Sequence, residues 1–300
     1  MPELPDVELY LSALRARIAG HTLEGIRLAT PFLLRSVEPP LHRAEGRMVT
    51  GFRRIGKRIV WELEGDLFLV FHLMIAGRFK WRDRGVLIAR RVGLAAFDFT
   101  HGTLLLTEVA TQKRASLHVV EGVNALASFD PGGLEVMTSD AGAFAAALQK
   151  ESHTLKRALT DPHLFSGIGN AYSDEILHRA RLSPFKLTRQ LTTKDIAALH
   201  AATIATLAEW TRRLQDEAGQ TFPEKVTAFH KAMAVHGRYG EPCPRCATPV
   251  QRIVHGEHEV NYCPRCQTEG RLLADRALSK LLKDDWPKTL DELERRKRSS

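Results

Sequence analysis

Residues 58–73 read RIVWELEGDLFLVFHL, and this stretch predicts a pair of neighbouring β-strands. Its first half places apolar side chains at every second position, the period of a strand with one buried face: Ile59, Trp61 and Leu63. Gly65-Asp66 is a turn signal, and the apolar run Leu67–Leu73 follows it directly. The stretch therefore predicts a β-hairpin near the start of the chain.

The strand pattern continues on both sides of this hairpin, from about residue 22 to about residue 120. A second hairpin is predicted at His101-Gly102, ahead of Leu104–Leu106. Residues 4–20 precede the strands and predict an amphipathic helix, since apolar residues recur there at helical spacing: Val7, Leu11, Leu14 and Ile18. One helix followed by many strands predicts a β-sandwich with a packed helix.

The chain changes character at Asp130-Pro131-Gly132-Gly133, a chain break that we interpret as a domain boundary. Helices are predicted beyond it at 140–150, 154–160, 170–180, 193–216 and 224–234. Two short hairpins around paired cysteines follow, and then helices at Leu272–Leu282 and Leu290–Arg296. The fold class is therefore α+β with several domains, divided as 1–130, 131–236, 237–270 and 271–300.

The composition favours a polyanionic partner. The 300 residues carry a formal net charge of +8 with a pI near 9.5, which suits nucleic acid before membrane. An ordinary basic enzyme would show the same charge. No apolar run approaches the roughly 20 residues that span a bilayer, and the acidic start MPELPDVELY does not resemble a signal peptide.

The four cysteines form two matched CPRC arms, Cys243-Pro-Arg-Cys246 and Cys263-Pro-Arg-Cys266. Four thiolates at this spacing predict one tetrahedral zinc site with no open position, which makes the metal structural. A histidine ligand, His255 or His258, would leave one cysteine unused. A redox dithiol or free thiols would not explain two matched arms.

Pro2 follows the initiator methionine, and removal of Met1 would leave a secondary amine at the chain terminus. Such an amine titrates near about 8, far below a lysine at about 10.4, and can attack an electrophilic carbon to form an iminium. Glu3 is adjacent and could transfer protons. Proline and glutamate at a helix start are equally explained by capping.

Four motifs together resemble the formamidopyrimidine-DNA glycosylase/endonuclease VIII family. They are MPELPDVE at 1–8, HLMIAGR at 72–78, GIGNAYSDE at 167–175 and the two CPRC arms, in this order. The resemblance covers residues 2 to about 268, and the PELP opening resembles the formamidopyrimidine branch. It implies an N-terminal catalytic β-sandwich, a helix–two-turn–helix domain and a zinc-ribbon hairpin, with damaged double-stranded DNA in a cleft between domains.

The resemblance also implies the chemistry of base-excision repair. The damaged nucleotide would be flipped out, Pro2 would attack its C1′, and Glu3 would protonate the sugar oxygen. The iminium would lose both phosphates by β,δ-elimination, and Lys57 would contact phosphate near the lesion. No diffusible cofactor is needed. The expected DNA contacts are His72, Ile75, Lys113, Arg114, Lys156, Asn170, Arg252 and His258.

Four departures from the family bear on the lesion. Ile75 stands at the methionine of HLGMSG, and in place of DPRRFG the chain has Lys113 for the orphan-base arginine and Ala115 for the phenylalanine wedge. Residues 219–229 form a shorter stretch than the loop that covers 8-oxoguanine, and His258 replaces the hairpin arginine, for which Arg252 could substitute. We expect lyase chemistry with a lesion preference that differs from 8-oxoguanine.

Two alternatives remain beside the glycosylase/lyase. A non-catalytic DNA-binding relative would have no reason to keep Pro2, Glu3 and Lys57 together, and an RNA-binding zinc-ribbon protein would need a base-stacking platform that the sequence lacks. We expect a monomer that is cytoplasmic and nucleoid-associated. The basic run Arg295–Arg298 after the predicted C-terminal helices is either a DNA-contacting arm or a solvated tail.

Overall fold

The computed structural model describes residues 1–227, 229–255, 258–274 and 287–299. The chain forms two compact units: Met1–Gly132 with Glu209–Ala228, and Gly133–Ala208 with Phe229–Ser300. Among the described residues, no helix is long and apolar enough to cross a membrane. The division into four domains is finer than these two units and stays a prediction.

The first unit is the predicted β-sandwich. Its strands are β1 (Gly25–Leu28), β2 (Val49–Ile55), β3 (Arg58–Leu63), β4 (Leu67–His72), β5 (Gly77–Arg82), β6 (Gly93–Phe99), β7 (Gly102–Glu108) and β8 (Ser116–Glu121). They form two antiparallel sheets, in the orders β1-β6-β7-β5 and β2-β3-β4-β8. The hairpins predicted at 58–73 and at His101-Gly102 are β3–β4 and β6–β7, so both predictions are confirmed.

Aromatic side chains from the two sheets meet in the core. Trp61 of β3 lies 5.2 Å from Phe97 of β6, and Phe71 of β4 lies 5.4 Å from Phe79 of β5, between ring centroids. All four are fully buried. Such edge-to-face contacts add to the burial of area, and they fix the two sheets against each other.

The opposite face of β3 and β4 is buried as well, because a short helix covers it. Val60 and Val70 form a small cluster with Leu126 of α2 (Val123–Ala127). This explains why residues 67–71 are apolar without alternation, as strands with two buried faces are.

Helix α1 (Leu4–Ile18) buries one face on the sandwich, and it ends two residues before the predicted Gly20. Tyr10, Leu14 and Ile18 are each fully buried in the same core cluster as Trp61. The packing of this apolar stripe fixes where the start of the chain lies, since the helix begins at Leu4, only three residues into the sequence.

The second unit contains α3 (Ala141–Gln149), α4 (Leu155–Thr160), α5 (Asn170–Ala180), β9 (Gln251–His255), β10 (His258–Tyr262), α7 (Pro264–Thr268) and α8 (Leu290–Ser299). Helix α6 (Thr193–Ala218) begins here, and its residues from Glu209 are counted with the first unit. The helices predicted at 140–150, 154–160, 170–180 and 193–216 are confirmed. Helices α4 and α5, with the turns between them, form the expected helix–two-turn–helix.

Two predictions about local structure before the C-terminal extension are wrong. The described residues within 224–234 are not helical. Val226 is buried in the core of the first unit and Glu224 pairs with Arg82, and an extended chain allows both contacts. The second CPRC arm is not a hairpin but leads into α7, where Pro264 takes the first helical position and the Cys266 N–H approaches Cys263 Sγ.

The C-terminal extension returns to the zinc ribbon. The Leu272 N–H donates to the Lys288 carbonyl and the Leu273 N–H to the buried Tyr262 hydroxyl, each at 2.9 Å. Leu272 and Leu273 are therefore not helical, and the rest of the predicted helix, including Leu278, Leu281 and Leu282, lies outside the described residues. The helix predicted at Leu290–Arg296 is confirmed as α8 and continues to Ser299.

Candidate active site and nucleic-acid interface

The start of the chain is held in a buried position by helix α1. Pro2 is buried, and Glu3, the residue before the helix, is only 3% exposed. The Glu3 N–H donates to Asp6 Oδ2 at 2.9 Å, which turns the first residues back onto the helix start. The two predicted catalytic residues therefore lie together on a well-fixed element of the first unit.

The terminal amine next to Pro2 has a lowered pKa. Burial of the Met1 amino group is the largest cause, and the positive charges of Arg78 and Lys57 lower the pKa further, while Glu3 and Asp6 oppose the shift. A lowered pKa raises the fraction of neutral, nucleophilic amine at physiological pH. Lys57 and Glu3 are thus among the charged groups that act on this amine.

Asp6 is a buried acidic residue beside Glu3 that the sequence did not single out. Burial raises the pKa of this carboxyl to about 7, although the Glu3 N–H bond opposes the shift. Its Oδ1 is buried with no hydrogen-bond partner in the described part of the protein. A carboxyl that titrates near neutrality can take up and release a proton during a reaction. The available signal was a second acidic group within four residues of Pro2.

Lys57 lies in the two-residue turn between β2 and β3. Ile55 and Arg58 close the hairpin, and Gly56 takes a positive φ of 58°, which suits the first position of a tight hairpin turn. The short loop fixes the lysine backbone. The sequence places Lys57 on a strand connection, and this is confirmed.

His72 ends β4 and is neutral at physiological pH. Burial is the main cause that lowers its pKa to about 4, and the charges of Arg58 and Lys57 contribute. The imidazole can therefore donate or accept a hydrogen bond near Lys57 without adding charge.

Ile75 projects from a tight turn between β4 and β5. Its side chain is 55% exposed, and the Gly77 N–H donates to the Leu73 carbonyl at 2.9 Å across the turn. A Cβ at Gly77 would lie 2.3 Å from that carbonyl oxygen, so only glycine fits there. Arg78 Nη1 donates to the Ile75 carbonyl at 3.0 Å and thereby links the turn to the surroundings of the terminal amine.

The loop after β7 is ordered by a buried carboxylate. Glu108 is 1% exposed and accepts the N–H groups of Arg114 and Ala115 at 3.0 and 3.1 Å. Lys113 folds into its own loop, where Nζ donates to the carbonyls of Glu108 and Ala110. Only Arg114 of the predicted DNA contacts in this loop presents an exposed side chain, whereas Ala115 is buried.

The short stretch that follows α6 packs on the first unit. Phe222 and Val226 are about 5% exposed and belong to the sandwich core cluster. Arg82 Nη2 donates to Glu224 Oε2 at 2.9 Å, which holds the chain between these two anchors. Residues 219–227 are therefore held against the first unit at several points.

In the second unit, Lys156 and Asn170 are brought together but play different parts. Lys156 is 7% exposed, and its Nζ donates to Asp174 Oδ1 at 2.6 Å and to the Asn170 carbonyl at 2.5 Å. Asn170 is the first residue of α5, and Gly169 rather than Asn170 takes the N-cap position. The side-chain amide of Asn170 makes no hydrogen bond among the described residues, so it can bind an anion at the helix start.

The four cysteines converge on one point. All four Sγ atoms lie within 4.8 Å of one another, and three of the pairs are 3.4, 3.4 and 3.9 Å apart. A tetrahedral zinc ion with bonds of about 2.3 Å needs sulfurs roughly 3.8 Å apart, so the residues fit that metal. The buried His178 of α5 places Nε2 at 3.2 Å from Cys243 Sγ, a contact that the sequence did not predict.

Arg252 lies on β9 opposite Asn261 of β10. Its guanidinium stacks 4.9 Å from the Tyr239 ring centroid and lies 3.6 Å from a Glu259 oxygen, yet 41% of the side chain stays exposed. His258 begins β10, and its side chain lies outside the described part of the structure.

Three family descriptions match successive parts of the chain. The formamidopyrimidine-DNA glycosylase N-terminal domain matches residues 1–122, and the H2TH domain of the same family matches 133–219. The zinc finger found in FPG and IleRS matches 240–268.

Two relatives that match most of this chain, and one that matches half of it, agree with these domain matches. The chain is 32% identical to formamidopyrimidine-DNA glycosylase of Geobacillus kaustophilus, over 89% of this chain and all of the relative. A Thermus thermophilus formamidopyrimidine-DNA glycosylase is also 32% identical, over 90% of this chain and all of the relative. The chain is also 39% identical to a formamidopyrimidine-DNA glycosylase-like protein of Mycobacterium tuberculosis, over 51% of this chain and 93% of that relative.

Solved structures show the same fold. Lactococcus lactis FPG (MutM) bound to DNA containing an oxidised pyrimidine is 27% identical, with a TM-score of 0.78 over 89% of this chain and all of the other. The complex of the same protein with Fapy-dG DNA gives a TM-score of 0.77 at 26% identity over the same shares.

The chain belongs to the formamidopyrimidine-DNA glycosylase family. It is therefore a DNA-binding DNA glycosylase with AP lyase activity that acts in base-excision repair, and its four cysteines form the site of one structural zinc ion.

Proposed function

We propose that the protein excises oxidised bases from duplex DNA through a covalent intermediate on Pro2. The observation that carries the proposal is the burial of Pro2 and Glu3 side by side at the start of α1, where Asp6 accepts the Glu3 N–H. Burial and the charges of Arg78 and Lys57 lower the pKa of the amine that precedes Pro2, and after removal of Met1 the Pro2 secondary amine would lie next to that position. It would attack C1′ of the flipped nucleotide, and the bond between C1′ and the base would break.

The acidic groups would move the protons. Glu3 protonates the ring oxygen of the sugar, so that the ring opens and the iminium forms. Asp6, with a pKa of about 7, lies beside Glu3, whose backbone N–H it accepts, and could take up a proton during the reaction. Abstraction of sugar protons then expels the two phosphates in turn, which is β,δ-elimination, and hydrolysis of the iminium frees Pro2.

Each of the two units would supply its own phosphate-binding residues. In the first, Lys57 and Arg114 supply positive charge, with neutral His72 as a hydrogen-bonding partner. In the second, the donors are the half-buried Asn170 amide and the exposed Arg252 guanidinium. Lys156 would hold the start of α5 in place and not bind phosphate itself, since its Nζ donates to Asp174 and to the Asn170 carbonyl.

The lesion preference would differ from 8-oxoguanine. Residues 219–227 are anchored in the sandwich core by Phe222 and Val226, so they supply no long loop to close over a flipped purine. Smaller or more flexible lesions, namely oxidised pyrimidines, ring-opened purines and abasic sites, need less cover. We also propose a monomer that works in the cytoplasm on the nucleoid.

Borohydride trapping tests the proposal. The purified protein would be treated with borohydride and duplexes carrying an abasic site, an oxidised pyrimidine, a formamidopyrimidine or 8-oxoguanine. We expect a covalent complex, weakest with 8-oxoguanine, and mass spectrometry should locate the DNA on Pro2. A Pro2→Gly variant and a form that retains Met1 are the controls. A complex that persists when the terminus is blocked, or none on any duplex, would refute the mechanism.

A further inference from the structure

We propose that Val109, together with Ile75, is the apolar element that this protein inserts into the base stack beside the lesion. The proposal rests on the proposed function, because it concerns how that site opens a duplex. It assigns to position 109 a task that the buried Ala115 cannot perform.

The side chain at position 115 cannot reach DNA, because the residue is buried and its N–H is bound within the loop. Ala115 is 3% exposed, and its N–H is bound to Glu108 Oε2. Lys113, aligned with the base-reading arginine, is turned into the loop by its bond to the Ala110 carbonyl at 2.9 Å. The loop must therefore meet DNA through its other residues.

Val109 is the apolar side chain that this loop presents to solvent. It is 76% exposed, directly after the buried Glu108. In the sheet, Glu108 pairs with Gly77, so the loop after β7 and the turn before β5 leave the same end of the sheet side by side. Ile75 in that turn is 55% exposed. Two aliphatic side chains thus lie on adjacent connections.

Both connections are rigid, which distinguishes this pair from ordinary exposed apolar residues. The Ile75 turn is closed by the bond from Gly77 to Leu73, and the Val109 loop by the buried Glu108 carboxylate. A wedge must keep its position while bases are pushed apart, so a rigid support reduces the entropy lost on binding.

Charge and chemistry favour stacked bases of duplex DNA as the partner. Arg78 donates to the Ile75 carbonyl, and its positive charge also acts on the terminal amine beside Pro2. Arg114, on the same loop as Val109, offers an exposed cation for phosphate. Apolar side chains flanked by cations are the means by which proteins unstack a base step.

The test uses a duplex with an uncleavable tetrahydrofuran abasic analogue and 2-aminopurine in the adjoining position. Fluorescence of 2-aminopurine rises when the base is unstacked. Val109→Ser should lower this rise at saturating protein and weaken duplex binding by about fivefold to tenfold. Val109→Phe should match or exceed the wild-type rise. Val123→Ser is the matched control, since Val123 is a 55% exposed valine on the same unit, and it should behave as wild type.

The outcomes separate this proposal from the proposed function, because the analogue requires no catalysis. A Val109→Ser protein that unstacks the probe as well as wild type would overturn the assignment, as would a bound wild-type protein that gives no fluorescence rise. If Val109→Ser lowers the rise while no borohydride complex forms with any cleavable duplex, the wedge stands and the Pro2 mechanism fails.

Discussion

Lys156 Nζ lies 2.6 Å from Asp174 Oδ1, and both side chains are almost completely buried in the second unit. The other oxygen of Asp174 accepts from Asn261 and contacts His236 at 2.9 Å. Glu175 beside it accepts three backbone N–H groups, from residues 234, 235 and 236. The helix that carries Asn170 is thereby bound to the zinc-ribbon hairpin through Asp174 and to the segment that precedes it through Glu175.

Lys156→Ala should destabilise the protein by about 3–5 kcal/mol, because it leaves a buried carboxylate without its cation. Urea unfolding would measure the loss. The salt dependence of DNA binding gives the contrasting test. A lysine that itself contacts phosphate should reduce the slope by about one when it is removed, without a large stability effect. That second pattern would contradict a supporting role, and Asn170→Ala is the control for weakened binding with stability retained.

The rate of covalent trapping should rise with pH through a pKa below the ordinary value of about 8 for a terminal amine, since the attacking form is neutral. Arg78→Leu should move this rise to higher pH, because removal of a nearby positive charge raises the amine pKa. Single-turnover trapping from pH 5 to 9 would measure it. Arg84, an exposed arginine paired with Glu24, supplies the control Arg84→Leu. Identical profiles for both variants would contradict the influence of Arg78.

Asp6 should make stability depend on pH. Its folded pKa is about 7, above the ordinary 3.8, so folding favours the protonated carboxyl. Stability is therefore full below about pH 4 as far as this group is concerned, and falls as the pH rises towards 7. Asp6→Asn should remove this fall in thermal unfolding scans. It should also slow trapping if Asp6 relays protons, whereas a purely structural Asp6 would change stability alone.

His178 should stabilise the zinc site through its contact with Cys243 Sγ. Neighbours that orient a metal ligand typically change metal affinity by about 10–100-fold when they are lost. His178→Ala should accordingly release zinc faster to a colorimetric chelator, while His178→Gln, which can still donate an N–H, should restore part of the retention. Equal release from all three proteins would show that the contact has no effect on the metal. Complete removal of zinc should unfold the ribbon, because the ligand set is closed.

The elements that could be predicted from the sequence alone are those with a local sequence pattern. Alternation at 59–63 and the turn at Gly65-Asp66 predict β3–β4, and the two CPRC arms predict the zinc site before any contact is known. Pro2 and Glu3 could be proposed as catalytic residues because their chemistry depends on their position next to Met1 in the sequence. A periodic or closely spaced motif carries its own structural information.

Tertiary structure decided what each side chain faces. Residues 224–234 have a composition compatible with a helix, yet Phe222 and Val226 are buried in the sandwich core, and burial of apolar area outweighs helix propensity. Lys156 and Lys113 are cations whose partners, Asp174 and backbone carbonyls, come into range only in the folded chain. Asp6 acquires its raised pKa from burial, and Val109 is exposed on a loop that the buried Glu108 carboxylate orders. Neither property is visible in a local sequence pattern.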